Sequence, residues 1–126
     1  MNDKLFVYGT LLDEHNQYGI YLRDNSSFYA NGKLKGKLYH LGEYPGAVLG
    51  GDDYIYGVIL QMDNAVEALS LIDIYEGFGE DQPQPNEFIR VLTKAETDTG
   101  PVECWIYLYD LSVDESRLIP GGRYHK

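Results

Sequence analysis

The stretch from Tyr54 to Met62 constrains the fold most, because it is apolar on both of its faces. Tyr56, Val58 and Leu60 share one side, and Ile55, Gly57 and Ile59 share the other. A strand of this kind needs cover on two sides and reads as a central strand. A helix signal follows it. Asn64, with Glu67 three residues later, makes a capping-box pattern before an apolar run. Ala65, Leu69 and Ile72 then recur at helical spacing, which predicts a helix running to about Tyr75 and stopping at Gly77.

The flanking segments read mostly as strands. Lys4 to Tyr8 is a short apolar run closed by Gly9-Thr10. Asp13 to Leu22 is polar, with Tyr18, Tyr21 and Leu22 at helical spacing, and reads as a short helix. Ser27 to Tyr39 is strand-like, with a hairpin turn expected at Asn31-Gly32. Gly42 to Gly46 and Gly79 to Asn86 read as loops. Glu87 to Ala95 and Val102 to Tyr109 form an expected antiparallel hairpin across Glu96 to Pro101. In its second arm Val102, Cys104, Ile106 and Leu108 alternate with Glu103, Trp105, Tyr107 and Tyr109. A helical turn is expected after Ser112. Strands dominate, with one main helix between them. That order implies an α+β domain whose curved, mostly antiparallel or mixed sheet can close into a barrel.

Composition narrows the functional classes. A length of 126 residues fits a single domain spanning 1–126. Twenty acidic against 10 basic side chains give a formal charge of −10, and the basic residues form no stripe. Nucleic acid and anionic membranes are therefore not expected partners. The apolar runs are too short to span a bilayer, and Met1 to Leu5 shows no signal-peptide pattern. A single cysteine, Cys104, leaves no internal disulfide and no cysteine-rich metal site. A cytoplasmic location is the expectation.

Three spots can carry chemistry. At Phe6-Val7-Tyr8-Gly9-Thr10-Leu11-Leu12 a strand ends on glycine, where the N–H groups make either a plain turn or an anion-binding nest. In Asp73-Ile74-Tyr75-Glu76-Gly77-Phe78, Glu76 falls at the C-terminal end of the helix, where the macrodipole disfavours a carboxylate. Such an acid, if desolvated beside Tyr75 and Phe78, acquires the raised pKa of a general acid/base; otherwise it is an exposed helix-end residue. Gly42-Glu43-Tyr44-Pro45-Gly46 is either a pocket wall or an ordinary turn. Other chemistries lack their residues. There is no phosphate-binding loop, no G-x-G-x-x-G and no nucleophile elbow, and His15, His40 and His125 lack metal-ligand spacing. Asp52-Asp53 and the region of Asp81 read as solvated loops, and Cys104 as core.

Taken together, these motifs resemble the γ-glutamylcyclotransferase-like family, in its γ-glutamylamine cyclotransferase branch. Phe6-Val7-Tyr8-Gly9-Thr10-Leu11 resembles the family's opening signature. Tyr44-Pro45-Gly46, Tyr56 to Leu60, Ile72 to Gly77, Phe88 to Val91, Trp105 to Tyr107 and Ile119 to Tyr124 then match its later motifs in order. The tail departs, with Gly122-Arg123-Tyr124 in place of Gly-Asp-Trp, and the loop from Gly79 to Asn86 is longer than the family's turn.

The resemblance implies a small mixed β-barrel with flanking short helices and a cavity at one end. It implies Glu76 as the catalytic residue and Tyr8, Gly9, Thr10 and Leu11 as the substrate loop, with Tyr44, Tyr107 and Arg90 as further substrate-binding positions; Arg90 also reads as structural. The reaction implied is attack by the α-amine of an L-γ-glutamyl group on its own γ-carbonyl. This releases 5-oxoproline and an amine or amino acid, with no metal or organic cofactor. The alternative is a non-catalytic module that binds a γ-glutamyl or other small acidic metabolite.

Overall fold

The computed structural model describes residues 1–9, 16–42 and 44–124. Its elements are β1 (Lys4–Val7), α1 (Gln17–Asp24), β2 (Ser26–His40), β3 (Pro45–Met62), α2 (Ala65–Glu76), β4 (Phe88–Thr97), β5 (Gly100–Tyr109) and the short β6 (Leu118–Ile119). The sheet order is β3-β1-β5-β4-β2-β6, and an additional pairing of β3 with β2 closes the first five strands into a mixed barrel. All pairings are antiparallel except that of β1 with β5, where Leu5 lies opposite Trp105.

The two apolar faces of β3 build two cores. Ile55 and Ile59 point into the barrel, where they meet Phe6, Leu34, Leu38 and Ile106. Met62, with Val58 and Leu60 beside it, faces outward and packs with Leu5, Val7, Leu22, Leu69 and Ile72. The second core glues α1 and α2 to the outside of the barrel. β1 divides in the same way, with Phe6 and Tyr8 inside and Leu5 and Val7 outside. Strand alternation thus feeds a filled barrel and a helix-covered flank from the same residues.

The expected hairpin at Asn31-Gly32 is absent, and β2 runs straight through both residues. Asn31 pairs with Val58, and Gly32 pairs with Gly57. A Cβ on Gly32 would stand 3.4 Å from Cε2 of Phe6, and one on Gly57 would stand 2.8 Å from Cζ of the same ring. The paired glycines therefore make room for an aromatic ring inside a small barrel, and local turn chemistry gives way to packing.

The helix signals fare better. Asn64 caps α2 by accepting the N–H of Glu67 at 3.1 Å. The Glu67 carboxylate does not complete a capping box but accepts the hydroxyl of Tyr21 at 3.2 Å, tying α2 to α1. Gly77 ends α2 in the left-handed region at φ 72°, with the N–H of Phe78 returning to the carbonyl of Asp73 at 2.9 Å. The expected helix from Asp13 is found from Gln17 to Asp24, capped by Asn16 Oδ1 on the N–H groups of Tyr18 and Gly19; residues 13–15 lie outside the described residues. The β4–β5 turn is tighter than expected, because Thr97 already pairs with Gly100. After Glu115–Arg117 forms one 3₁₀ turn, Arg123 lies 4.2 Å above the ring of Tyr56. Among the described residues no helix is long and apolar enough to cross a membrane.

Gly57→Ala tests the packing of Phe6. Its Cβ would also come within 2.4 Å of the Val7 carbonyl oxygen. Thermal unfolding should show a loss of about 2 kcal/mol, or roughly 8 °C in Tm. An unchanged Tm would mean that Gly57 does not limit the barrel interior.

Candidate active site

One end of the barrel collects the ends of five elements around a cavity of about 180 Å³. Tyr8 and Gly9 follow β1, and Tyr107 lies near the end of β5, which is parallel to it. Glu87 and Phe88 stand where β4 begins, since β4 runs antiparallel to β5. Tyr44 and Pro45 open β3, while Tyr75 and Glu76 close α2. A Cβ on Gly9 would lie 2.7 Å from Cγ of Pro45, so the chain after β1 passes tightly against the start of β3.

Glu76 is the last residue of α2 and lines this cavity. Burial, and after it the nearby Glu87 carboxylate, push its pKa from the ordinary 4.5 up to about 8. The first cause withholds water from the charged form, and the second adds like-charge repulsion. The result is a carboxyl that exchanges its proton near neutral pH.

The tyrosines around it are engaged as walls. The Tyr8 hydroxyl donates to the Tyr107 carbonyl at 2.5 Å. Burial, then Glu76, holds that phenol well above its ordinary value, so it serves as a neutral donor. The Tyr107 hydroxyl donates to Asp73 Oδ1 at 2.6 Å. Burial and this hydrogen bond raise the Tyr107 pKa as well. Tyr75 stacks on Tyr18 with ring centroids 4.6 Å apart, and its hydroxyl accepts from Asn16 Nδ2 at 2.8 Å. Tyr44 donates its hydroxyl to Glu87 Oε1 and lies 6.0 Å from the ring of Phe88. Burial and the bond to Glu87 raise its pKa too.

Arg90 stands one step behind the cavity wall. Its Nε and Nη2 reach Asp73 Oδ1 and Oδ2 at 2.8 and 3.1 Å, and its guanidinium lies 4.4 Å from the Trp105 ring. This bidentate pair holds the acceptor that anchors Tyr107. The structure thus gathers Glu76, Tyr8, Gly9, Tyr44 and Tyr107 at one cavity and places Arg90 in their support. Thr10 and Leu11 lie outside the described residues.

Sequence reasoning missed Glu87 and Phe88. No local pattern marks Glu87, since an acid at the end of a polar loop reads as solvated. The available signal was topological: a strand antiparallel to the one carrying Tyr107 must begin at the same end of the barrel. Cys104 is fully buried, with its thiol pushed up to about 11 by desolvation, which removes it as a nucleophile. Among the described residues no group of three or more His, Cys, Asp and Glu is placed to hold a metal ion.

Comparisons with known proteins converge on one family. A family model described as "Gamma-glutamyl cyclotransferase, AIG2-like" matches residues 5–126. The "Gamma-glutamylcyclotransferase family protein YtfP" of Escherichia coli (strain K12) is 33% identical over 126 residues, covering 94% of this chain and 93% of that protein. The solution structure of ytfP from Escherichia coli superposes with a TM-score of 0.66 at 28% identity, over 96% of this chain and 95% of that one. The crystal structure of YkqA from Bacillus subtilis gives a TM-score of 0.71 at 26% identity; the match covers 98% of this chain but only 40% of that longer one.

The raised pKa of Glu76 makes a stability prediction. The folded protein keeps a proton on Glu76 that the unfolded chain releases above about pH 4.5, so this group's contribution falls as pH rises through about 8. Glu76→Gln removes that loss. The variant should match the wild type near pH 5 and exceed it at pH 9 by on the order of 2 kcal/mol, once partial exposure is discounted. Chemical denaturation at the two pH values checks this. Parallel curves for the two proteins would show that Glu76 is not desolvated.

Proposed function

The chain belongs to the γ-glutamyl cyclotransferase, AIG2-like family, and on that premise we propose that it releases 5-oxoproline from an L-γ-glutamyl amine or amino acid. The observation that carries this reading is Glu76, a carboxyl with a pKa near 8 in a cavity of about 180 Å³. That volume lies below the roughly 300 Å³ where drug-sized pockets begin, and suits a small metabolite group.

The chemistry needs little beyond such a carboxyl. The γ-glutamyl group carries its nucleophile as an α-ammonium. Glu76 in its carboxylate form takes one proton from that ammonium. The freed amine attacks the γ-carbonyl carbon, a C–N bond closes the five-membered ring, and the carbonyl electrons move to oxygen. When the oxyanion collapses, the bond to the departing nitrogen breaks. As that bond breaks, Glu76 returns the proton to the departing nitrogen, then takes the second ammonium proton from the ring nitrogen and passes it to the released amine, so 5-oxoproline and an ammonium product leave and Glu76 is again a carboxylate. One group acts as base and then as acid, which demands a pKa near the working pH.

The remainder of the barrier is conformational. The glutamyl chain must be held bent, with amine and carbonyl in near-attack geometry. Phe6, Val7, Phe88 and the ring of Tyr107 offer apolar walls for its methylenes. The backbone N–H of Gly9 and those of Thr10 and Leu11 after it are assigned to the α-carboxylate or the developing oxyanion. A module that only bound anionic metabolites would gain nothing from a carboxyl at the place of Glu76, and one that only paired the α-ammonium would be served as well by a solvated carboxylate of ordinary pKa.

The test is 5-oxoproline release from a panel of γ-glutamyl amines and amino acids. Wild type should turn over at least one. Glu76→Gln should lose activity by about 10²–10⁴-fold while still binding substrate. Because kcat/KM reports the free enzyme, its acid limb should rise with pH through about 8. Substrate binding without release by the wild type would instead make the protein a binding module.

A further inference from the structure

Glu76 and Glu87 reach the cavity from the two ends of one loop. α2 ends at Glu76, and β4 begins at Phe88. Between them the residues from Gly79 to Asn86 include two prolines and two acids and no large apolar side chain, so packing does little to hold them. The two ends of this stretch nevertheless meet. Asn86 Oδ1 accepts the N–H of Gly79 at 3.1 Å, and Asn86 Nδ2 donates to the Gly79 carbonyl at 3.0 Å. Nδ2 also donates to the Pro83 carbonyl at 3.2 Å.

One side chain thus serves both backbone groups of Gly79. Asparagine is the shortest side chain with a donor and an acceptor on one planar amide, as this reciprocal pair requires. An ionised aspartate would offer the Gly79 carbonyl no donor. This neck lies three residues after Glu76 and one before Glu87. On the α2 side, the N–H of Phe78 returns to the Asp73 carbonyl at 2.9 Å; on the β4 side, the N–H of Asp110 donates to the Glu87 carbonyl at 2.9 Å. The backbone is therefore pinned from the last turn of α2, across Asn86, to the start of β4. Gln84 is the contrast. Its Nε2 donates to the carbonyls of Gly79 and Gln82 at 2.9 and 3.0 Å, inside the exposed part of the loop.

We infer that Asn86 is a positioning residue, which clamps the neck of this loop and so fixes Glu87 against Glu76 across the cavity. The kinetic consequence rests on the cyclotransferase reading; the clamp does not. Among the described residues, the titratable groups around Glu76 are Tyr8 after β1, Tyr44 before β3, Tyr75 on α2, Glu87 before β4 and Tyr107 on β5. Asp73 and Arg90 are paired to each other behind the wall. Tyr8, Tyr44 and Tyr107 hold their protons above the ordinary phenol range, so Glu87 is the charge that bears on Glu76. Like-charge repulsion weakens with separation and with water between the groups. If the neck opens, the end of α2 and the start of β4 are free to part, and Glu76 ionises at lower pH.

The test titrates the side-chain carboxyls of the full chain by carbon NMR on labelled glutamate, with the Glu76 signal identified by its loss in Glu76→Gln. Wild type, Asn86→Ala, Gln84→Ala, Glu87→Gln and Asn86→Ala/Glu87→Gln are compared, each first checked for cooperative thermal unfolding. Asn86→Ala should lower the Glu76 midpoint by about one pH unit or more, and Gln84→Ala should leave it within about 0.3. Glu87→Gln should lower the midpoint on its own, and by less once Asn86 is alanine, because both act through one separation. The acid limb of kcat/KM for 5-oxoproline release should move with the midpoint. Asn86→Ser carries the same readings if the alanine protein does not fold. A midpoint that Asn86→Ala leaves unchanged, an equal shift in Gln84→Ala, or additive shifts with Glu87→Gln would overturn the role of Asn86, whatever the release assay reads. The expected shifts in a protein that releases no 5-oxoproline would overturn the cyclotransferase and leave the clamp standing. No shift and no release would overturn both.

Discussion

Phe6 fills the barrel because two glycines face each other beside it. A five-stranded barrel has little interior to share, and the cross-strand pair of Gly32 and Gly57 gives that space to one ring. Everything at the functional end follows from that seat. β1 is held between β3 and β5, so Tyr8 and Gly9 emerge at a fixed place beside Tyr107. The outward residues of the same short strand, Leu5 and Val7, help to form the core that docks α2. The strand that supplies the cavity floor therefore also sets the position of the helix that supplies the acid.

The second support is ionic. Asp73 accepts from Arg90 and from Tyr107 and sits one turn before Glu76 on α2. It joins the last turn of the helix to β4 and β5. Its partners are partly buried on a face also covered by Trp105 and Phe78, so the pair is less exposed to solvent screening than a surface pair. This arrangement assigns Arg90 to positioning. A cation that reached into the cavity would neutralise Glu76 and lower its pKa, whereas a cation spent on Asp73 stiffens the wall and leaves the carboxyl's environment acidic.

Much of this was legible in the sequence, and the reasons are local. The alternation of Val102, Cys104, Ile106 and Leu108 against Trp105, Tyr107 and Tyr109 predicts two faces, and the structure sends them into separate cores. Asn64 and Gly77 mark the ends of α2 because a cap and a left-handed stop are single-residue requirements. What was not legible depends on partners far away in the chain. Asn31-Gly32 carries the local signature of a turn, yet the glycine is there for a ring 26 residues earlier in sequence. Glu87 looks solvated until β4 is known to begin beside Tyr44, 43 residues back. Glu67 matches a capping box, but Tyr21 from another helix captures its carboxylate.

Glu76 breaks two rules that a chain shaped only for stability would keep. It puts a carboxylate where the helix macrodipole is negative, and it places that carboxylate near a second one away from water. Both choices push in the same direction, toward holding the proton. A neighbour of opposite charge would have relieved the cost, and Arg90, behind the cavity wall, is bound to Asp73 instead. The tyrosines add to the effect, since Tyr8, Tyr44 and Tyr107 direct their hydroxyl protons to a carbonyl, to Glu87 and to Asp73. With those donors committed elsewhere, none of the three stabilises the ionised Glu76. An incoming ammonium is what this carboxyl lacks. A substrate that brings one supplies the missing charge and lowers the pKa of Glu76 as it binds. On the cyclotransferase reading proposed above, the base is then formed where the proton has to be taken.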